Sequence, residues 1–486
     1  MNYNKIIYGI GIVASLLTIQ SCDKIKDFDD LNVNPNLTTS PIPSALLTNV
    51  QSNLGANLVF DAGGANTGSG LYAQYFSETQ YTEVSRYNKP NYNYDAYYVG
   101  PLNDLQNIIN YNSDPATAGT AAIYGSNKNQ IAIARILKAH YVKFLTDITG
   151  DLPYFNALKG GSGVITSAYD AQSAIYADLL KELTEAVDQF DNGTTVQGDI
   201  IYAGNVAKWK KYANSLRLLI AINMLKVDAN AGKAAFTAAL AHSAGVISEN
   251  SDNVVINYVG GTFPNPFYNY YNITLRLDFA ESKTMTDQLS STNDARINVY
   301  GSSSKGFPYG LTRDNAILFA NANPDYANIL APAQRQTNSP LTILSAGYIN
   351  LVRAEAAHRG WTTENKNTLY ATGIQASYDQ WALGSAATFI ASAPIALTGA
   401  ASDLTKIATQ EWVAAYPNGL EGYNIYRRTG IPALTPAPGT TAIPRRAPYG
   451  TNDYSYNSAN VGPAAAGYTV NGISDSQYGR IWWDKP

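Results

Sequence analysis

Residues 205–226 read NVAKWKKYANSLRLLIAINMLK and predict the clearest helix of the chain. Their apolar residues recur every three or four positions, at Trp209, Ala213, Leu216, Ile220 and Met224. This spacing places them on one face of an α-helix, while the basic residues between them take the other faces. A long helix with an apolar face must pack against other elements, so this stretch favours an α-helical scaffold.

Helical periodicity also marks segments on both sides of this stretch. The predicted helices cover residues 127–146, 170–190, 345–359, 366–382 and 402–416. Residues 251–340 are rich in Gly, Pro, Asn and Tyr and are expected to form long loops with short strands. Helices in pairs separated by short turns are typical of tetratricopeptide-like folds, although no strict repeat is visible. The predicted fold class is mostly α, a tetratricopeptide-like helix-pair scaffold with long loops and a few short strands.

The N-terminal segment is typical of an exported lipoprotein. Lys5 precedes an apolar run from Ile6 to Ile19, and Cys22 follows as the only cysteine of the chain. The run is shorter than the ~20 apolar residues that a membrane-spanning helix needs, so it is interpreted as a secretory signal. The segment from Leu17 to Cys22 resembles a lipobox, at which a peptidase cuts before the cysteine and that cysteine is lipidated.

These features predict how the chain is organised. Residues 1–21 are expected to form a lipoprotein signal peptide, residues 22–45 a lipidated tether, and residues 46–486 a single α-helical binding domain. Acyl chains on Cys22 would hold the protein at a membrane surface. A buried or incidental thiol at Cys22 is the alternative interpretation.

The composition favours binding through tyrosine and argues against nucleic acid as a partner. The formal charge of -4 becomes -5 when Lys5 leaves with the signal peptide. A mildly acidic protein has no excess of positive charge with which to bind phosphate backbones. Only 14% of residues are charged, whereas 36 tyrosines stand against 13 phenylalanines. Tyrosine combines a flat apolar face with a hydroxyl group, which suits carbohydrate rings and wet protein interfaces.

Motifs for catalysis or metal binding are missing from the sequence. His140, His242 and His358 are scattered over separate helical segments, without the close ligand spacing of a zinc site. Asp147 and Asp151 are expected to bond turn amides at a helix end, with metal or acid–base chemistry as the alternative. No nucleophile elbow, zinc-protease helix or phosphate-binding loop occurs. We therefore predict no catalytic residue, no metal site and no cofactor, although 37 acidic residues leave an opposed carboxylate pair open.

Two aromatic clusters are the candidate ligand site. One crowds residues 72–98 with tyrosines among Asn, Arg and Glu, and the other lies in a Gly-Pro-Asn-rich segment at 258–271. Sugar rings stack on aromatic faces while amides and charged groups bond their hydroxyls. The alternative is that many of these rings pack loops onto the helices or contact a partner. The candidate ligand-binding residues are Tyr81, Tyr87, Tyr92, Tyr94, Phe263, Phe267 and Tyr268.

Short segments spread over the mature chain carry a family resemblance. They are NVNPN at 32–36, TDITGDLPY at 146–154, WKKYANSLRL at 209–218, RAEAAHRGW at 353–361, NGLEGYN at 418–424, RRTG at 427–430, PRR at 444–446 and WWD at 482–484. In this order they resemble the SusD/RagB-like outer-membrane nutrient-binding lipoproteins, most closely the second SusD-like branch. The chain departs from that branch at Tyr423 and Tyr426, where Trp is common.

The resemblance implies a fold, a partner and an activity. The fold would be an α-helical scaffold of tetratricopeptide-like helix pairs. The partner would be a TonB-dependent transporter of the SusC type, over which the protein sits as a lid. The activity would be capture of oligosaccharides without catalysis, at the outer membrane, lipid-anchored and facing the outside. A lipid-anchored glycoside hydrolase or lyase, or a peptide-binding surface protein, remains as an alternative.

Overall fold

Helices dominate the computed structural model, which describes residues 40–60, 68–88, 92–164 and 166–486. The predicted signal peptide, Cys22 and most of the predicted tether lie outside the described residues. Among those described, the helices of nine or more residues are α1 (Pro43–Ser52), α2 (Asn103–Ser113), α3 (Asn127–Thr149), α4 (Gln172–Gln189), α5 (Val206–Asn223), α6 (Ala229–Ala241), α7 (Lys283–Ser291), α8 (Arg313–Ala322), α9 (Ala346–His358), α10 (Lys366–Gln380), α11 (Asp403–Ala414), α12 (Gly419–Thr429) and α13 (Ser458–Ala466). Shorter α-helices cover Ser69–Tyr72, Asp95–Tyr97, Ala118–Ala121, Pro266–Tyr268, Ile297–Tyr300, Ala387–Ala391 and Thr451–Tyr456.

The long helices pack in pairs along the chain. Helix α3 packs on α4, α4 on α5, and α5 on α6, and in the second half α9 packs on both α10 and α11. Helix α5 joins the two halves through α9, and α12 contacts both α11 and α3. The predicted fold class, mostly α with helix pairs and few short strands, is confirmed.

Helix α5, whose sequence predicts the helical scaffold, lies at the centre of that scaffold. Helix α5 begins after Asn205, whose side chain accepts a hydrogen bond from the backbone amide of Lys208. Its apolar face is buried, and Trp209 also donates its indole N–H to the Asp199 carboxylate at 2.7 Å. Burial extends to Arg217, so α5 is enclosed on more than its apolar face.

Two glycines allow close approach of neighbouring elements. Gly150 ends α3 with φ of 94°, and a Cβ there would lie 2.1 Å from the Tyr468 hydroxyl oxygen. Gly422 in α12 faces Tyr75, whose ring would lie 2.4 Å from an added Cβ. Any larger residue at either position would force these elements apart.

Two small antiparallel sheets connect distant parts of the chain. Strand β1 (Phe76–Glu78) pairs with β3 (Phe279–Glu281), and β2 (Val254–Ile256) pairs with β4 (Leu341–Leu344) across a register shift. The β1–β3 pair brings the tyrosine-rich segment before residue 98 beside the long loops after residue 258. This pairing positions the groove described below.

A buried lysine links α3 to α12. The Lys143 ammonium lies 2.8 Å from Asp147 and 2.9 Å from Glu421. Asp147 also accepts hydrogen bonds from the side chains of Asn424 at 2.9 Å and Trp483 at 3.1 Å. The expectation that Asp147 bonds turn amides is therefore wrong, because partners far along the chain hold it inside the core. Asp151 accepts from the backbone amide of Gln172 at 2.9 Å, which is an amide at the start of α4 and not one in the turn that ends α3.

A second buried cluster joins α9, α11 and α12. The Arg428 guanidinium lies 2.6 Å from both Glu355 and Glu411, and all three side chains are at most 1% exposed. Burial opposes ionisation of Glu355, but the charges of Arg428 and Arg359 outweigh it and lower its pKa to about 2. Burial and the neighbouring Glu355 charge raise the pKa of Glu411 well above its usual value. The two carboxyl groups that share this arginine thus have pKa values shifted in opposite directions.

Glu281 on β3 is buried without a partner. Its side chain is fully enclosed, and neither carboxyl oxygen has a hydrogen-bond partner among the described residues. Burial raises the pKa of Glu281 well above its ordinary 4.5, so the folded protein holds this group neutral. The stability that the neutral group contributes is fully present below pH 4.5 and is lost as pH rises towards the folded pKa.

Glu281→Gln should remove this pH dependence. The unfolded parent ionises Glu281 above its ordinary pKa while the folded parent does not, so its stability falls by up to about 1.4 kcal/mol per pH unit from this group alone. The free energy of unfolding of Glu281→Gln minus that of the parent should therefore rise with pH. Urea denaturation of both proteins at several pH values between about 5 and 8 measures it. A difference that stays constant across that range would show that Glu281 is ionised in the fold.

Candidate ligand-binding groove

The β1–β3 pair continues into an open groove. Just beyond β1, the Thr79 amide donates to the Asp278 carbonyl at 2.9 Å, and the Thr79 hydroxyl donates to the Leu277 carbonyl at 2.5 Å. These bonds hold residues 79–81 against residues 275–278, and α8 forms the opposite wall. The groove has a volume of about 450 Å³ and is lined by Thr79, Gln80, Tyr81, Leu275, Arg276, Leu277, Asp278, Ile317, Ala320, Asn321 and Tyr326.

Large apolar side chains are exposed along this groove. Tyr81, Leu275, Leu277 and Ile317 are between 37% and 75% exposed. Single exposed apolar residues are ordinary on protein surfaces, whereas several around one depression are typical of a binding site. The Arg313 guanidinium lies 5.2 Å from the centre of the Tyr81 ring and so steadies it from the start of α8.

The polar groups of the groove are largely paired among themselves. The Asp278 carboxylate accepts from Gln80 Nε2 and from Arg276 Nε, each at 2.5 Å. The Arg276 and Asp278 charges therefore compensate each other. Gln80 Oε1 and the exposed Asn321 amide have no hydrogen-bond partner among the described residues, which leaves them open to a ligand.

Comparison with known proteins identifies the scaffold that carries this groove. The family model described as "Starch-binding associating with outer membrane" matches residues 35–450. The chain belongs to this SusD-like family. No curated protein matches it by sequence.

Solved structures of the SusD-like family match most of the chain. A structure named chitin-binding protein is 26% identical, with a TM-score of 0.74 over 91% of this chain and 100% of its own. A chitin-binding SusD homolog from Flavobacterium johnsoniae is 25% identical, with a TM-score of 0.73 over 91% and 98%. A SusD homolog from Bacteroides uniformis is 23% identical, with a TM-score of 0.76 over 92% and 99%, and supports the fold.

Most of the predicted ligand residues in the first cluster of this SusD-like protein are buried. Tyr81 lines the groove, but Tyr87, Tyr92 and Tyr94 are each at most 4% exposed. The Tyr87 hydroxyl accepts from the Ala437 amide at 3.1 Å, and the Tyr94 hydroxyl donates to Asp453 at 2.7 Å. The prediction of a surface platform at these three tyrosines is corrected, because their rings fix loops to the body of the protein.

The second aromatic cluster does not reach the groove. Phe267 is buried edge-on against Phe60, with ring centres 5.2 Å apart, so its candidacy is also corrected. Phe263 is half-buried and lies 4.7 Å from the Tyr258 ring. Tyr268 is half-buried, and neither it nor Phe263 lines the groove. Both stay untested candidates outside the groove.

Sequence reasoning missed the aliphatic residues of the groove. Leu275 and Leu277 alternate with Arg276 and Asp278 immediately before β3, a pattern typical of a strand with two unlike faces. This alternation is the sequence signal that could have indicated these residues. A search for aromatic rings alone does not detect it. Ile317 lies on α8, in a segment expected to be loop.

The described residues offer no cluster suited to a metal and no helix suited to crossing a membrane. They contain no group of three or more His, Cys, Asp or Glu side chains that could hold a metal ion. Among them, no helix is both long enough and apolar enough to span a bilayer.

His140 is buried and shares a 2.5 Å hydrogen bond with the Tyr212 hydroxyl, and burial lowers the pKa of His140 to about 3.

Proposed function

We propose that this protein is an outer-membrane lipoprotein that binds oligosaccharides in the groove at Tyr81 and passes them on unchanged. The observation that carries the proposal is the groove itself, in which an exposed ring, aliphatic walls and free amide groups line one depression. Such a mixture bonds sugar hydroxyls and covers their apolar faces. The names of the two similar chitin-binding structures support a glycan as the ligand class.

The lining of the groove favours binding over hydrolysis. Glycoside hydrolysis requires two opposed carboxyl groups across the scissile bond. Among the described lining residues Asp278 is the sole acid, and it is held by Arg276 and Gln80. An acid that is already paired and has no opposed carboxyl group supplies neither proton nor nucleophile.

Delivery to a SusC-like TonB-dependent transporter completes the proposal. The family description, which places association at the outer membrane, supports it. So does the low charge of the chain, since interfaces are enriched in Tyr and depleted of Lys and Glu.

Mild detergent extraction followed by pull-down on a C-terminal tag should recover a TonB-dependent transporter with this chain. Recovery of the chain alone at native expression would favour a free-standing surface binder.

Tyr81→Ala should weaken glycan binding. Truncation removes the aromatic face of the groove, and losses of about 1–2 kcal/mol are typical of a stacked ring, or roughly five- to thirtyfold in Kd. Calorimetric titration of the mature chain with an oligosaccharide that the parent protein binds measures this change in Kd. Tyr456→Ala is the matched control, because Tyr456 is 78% exposed and lies outside the groove. Equal affinities of parent and Tyr81→Ala would place the site elsewhere.

A further inference from the structure

A buried carboxyl group closes the loop that carries Tyr81. Glu78 is the last residue of β1 and is 4% exposed. Its Oε2 accepts hydrogen bonds from the Ser85 backbone amide at 2.8 Å and from the Ser85 hydroxyl at 2.7 Å. These two bonds join the ends of the loop formed by residues 79–84. Tyr81 lies within this loop and is 45% exposed, so a buried contact at the base of the loop holds a ring that faces solvent.

The chain on either side of this loop is fixed to other parts of the protein. On the β1 side, the amide and hydroxyl of Thr79 bond the segment before β3, as described above. On the other side, Arg86 donates from Nη1 to the Gly310 carbonyl at 2.9 Å. These anchors fix where the loop leaves and returns, whereas the buried bonds at its base fix its shape between the two points.

The loop requires an acceptor oxygen at position 78 rather than a charge. Burial raises the pKa of the Glu78 carboxyl to about 7, although the bonds from Ser85 lower it. Whether the carboxyl group is ionised or neutral, its Oε2 can accept both bonds from Ser85. A glutamine side chain carries a carbonyl oxygen at the same distance from the backbone, so it supplies the same acceptor. A leucine side chain supplies none.

A loop that is closed before the ligand arrives presents Tyr81 at a lower entropic cost. Ordering a loop or a side chain during binding costs free energy, so a loop that is already held in one conformation gives higher affinity. Neither Glu78 nor Ser85 lines the groove. We infer that Glu78 and Ser85 are positioning residues, which hold the Tyr81 ring in the conformation that the ligand meets. This inference rests on the proposed glycan binding and adds the residues that preorganise the same site.

Two serine variants separate positioning of the loop from general stability. Ser77 is the neighbour of Glu78 on β1, is fully buried, and donates its hydroxyl to the Phe307 carbonyl at 2.9 Å. Ser85→Ala and Ser77→Ala therefore each lose one buried serine hydroxyl, but only the first loses a bond that closes the loop. In hydrogen exchange followed by mass spectrometry, residues 79–84 should exchange at least about threefold faster in Ser85→Ala and less than about twofold faster in Ser77→Ala.

Calorimetry on the same two variants measures the effect on binding. With an oligosaccharide that the parent binds, Ser85→Ala should raise the Kd about three- to fivefold, because one hydrogen bond of ordinary strength is lost. Ser77→Ala should change the Kd less than about twofold. An equal loss of affinity in both variants would overturn the inference, because the loss would then follow stability and not the loop.

Substitution of Glu78 tests the need for an acceptor oxygen. At pH 6 the Glu78 carboxyl of the parent is mainly neutral, so Glu78→Gln should bind the oligosaccharide within about twofold of the parent. Glu78→Leu should weaken binding at least about tenfold, because both bonds from Ser85 are lost. If Glu78→Leu does not fold, the serine variants carry the test. Glu78→Gln binding as weakly as Glu78→Leu would overturn the inference.

The exchange measurement needs no ligand, so it distinguishes failure of the inference from failure of the proposed function. Unchanged exchange of residues 79–84 in Ser85→Ala, with a parent that binds oligosaccharide, would overturn the inference and leave glycan binding intact. Faster exchange in Ser85→Ala, with a parent that binds no oligosaccharide in a broad panel, would overturn the proposed function and leave closure of the loop by Glu78 and Ser85 established.

Discussion

Replacing Arg428 by Met is expected to lower the free energy of unfolding by about 3–5 kcal/mol. The guanidinium is the shared partner of Glu355 and Glu411, and all three groups are buried where α9, α11 and α12 meet. Met keeps much of the length and apolar volume of Arg, so the loss comes from two buried carboxyl groups that lose their shared cation, with only the partly exposed Arg359 left beside Glu355, rather than from a cavity. Urea denaturation at neutral pH, followed by far-UV circular dichroism, measures it.

Arg359→Met is the matched control for that experiment. Arg359 contacts the same carboxylate at 2.7 Å, but its side chain is 20% exposed. Solvent screens such a pair, so the variant should lose no more than about 1 kcal/mol. If Arg428→Met were no more destabilising than Arg359→Met, the buried cluster would not hold these helices together.

Cys22→Ala should abolish acylation of the protein and the membrane attachment that depends on the acyl chains. Cys22 is the only cysteine, so no other residue can take the acyl chains through a thiol. Each buried methylene of an acyl chain contributes about 0.8 kcal/mol to membrane binding, and the variant loses all of them. Labelling cells with a fatty-acid analogue and separating membrane from soluble fractions measures both acylation and attachment.

Ser21→Ala serves as the control, because it keeps a small residue before the predicted cleavage point. It should be labelled and attached as the parent is. Cys22→Ala protein that stays in the membrane fraction without label would contradict lipid anchoring at this residue. Cys22 lies outside the described residues, so this stays a prediction.

Long helices with one apolar face were predictable from sequence. Helices α4, α9 and α11 begin and end within two residues of the predicted limits, because buried apolar residues recur over several turns. Helices α7 and α8 were not predicted. In α8 only Ala316 is buried, so the helix carries almost no apolar pattern to detect. Segment 251–340 therefore contains more helix than its composition indicates.

The candidate ligand groove was predictable only through Tyr81. Composition shows that tyrosines crowd a segment, but not which hydroxyl groups find partners across the fold. Tyr94 bonds Asp453 and Tyr300 bonds the Val413 carbonyl at 2.8 Å, both over separations that no local pattern reveals. Asp147 is a similar case, since Asn424 and Trp483 lie far along the chain. Long-range partners, rather than local propensity, decide which polar residues remain free for a ligand.

Calorimetric titration of the mature chain with a panel of oligosaccharides, with product analysis of each mixture, tests glycan binding most directly. We expect saturable binding of at least one oligosaccharide, recovered unchanged after incubation. Shortened or unsaturated products would instead indicate a lipid-anchored hydrolase or lyase. Binding of peptides together with failure of every oligosaccharide would contradict the account and indicate a peptide-binding surface protein.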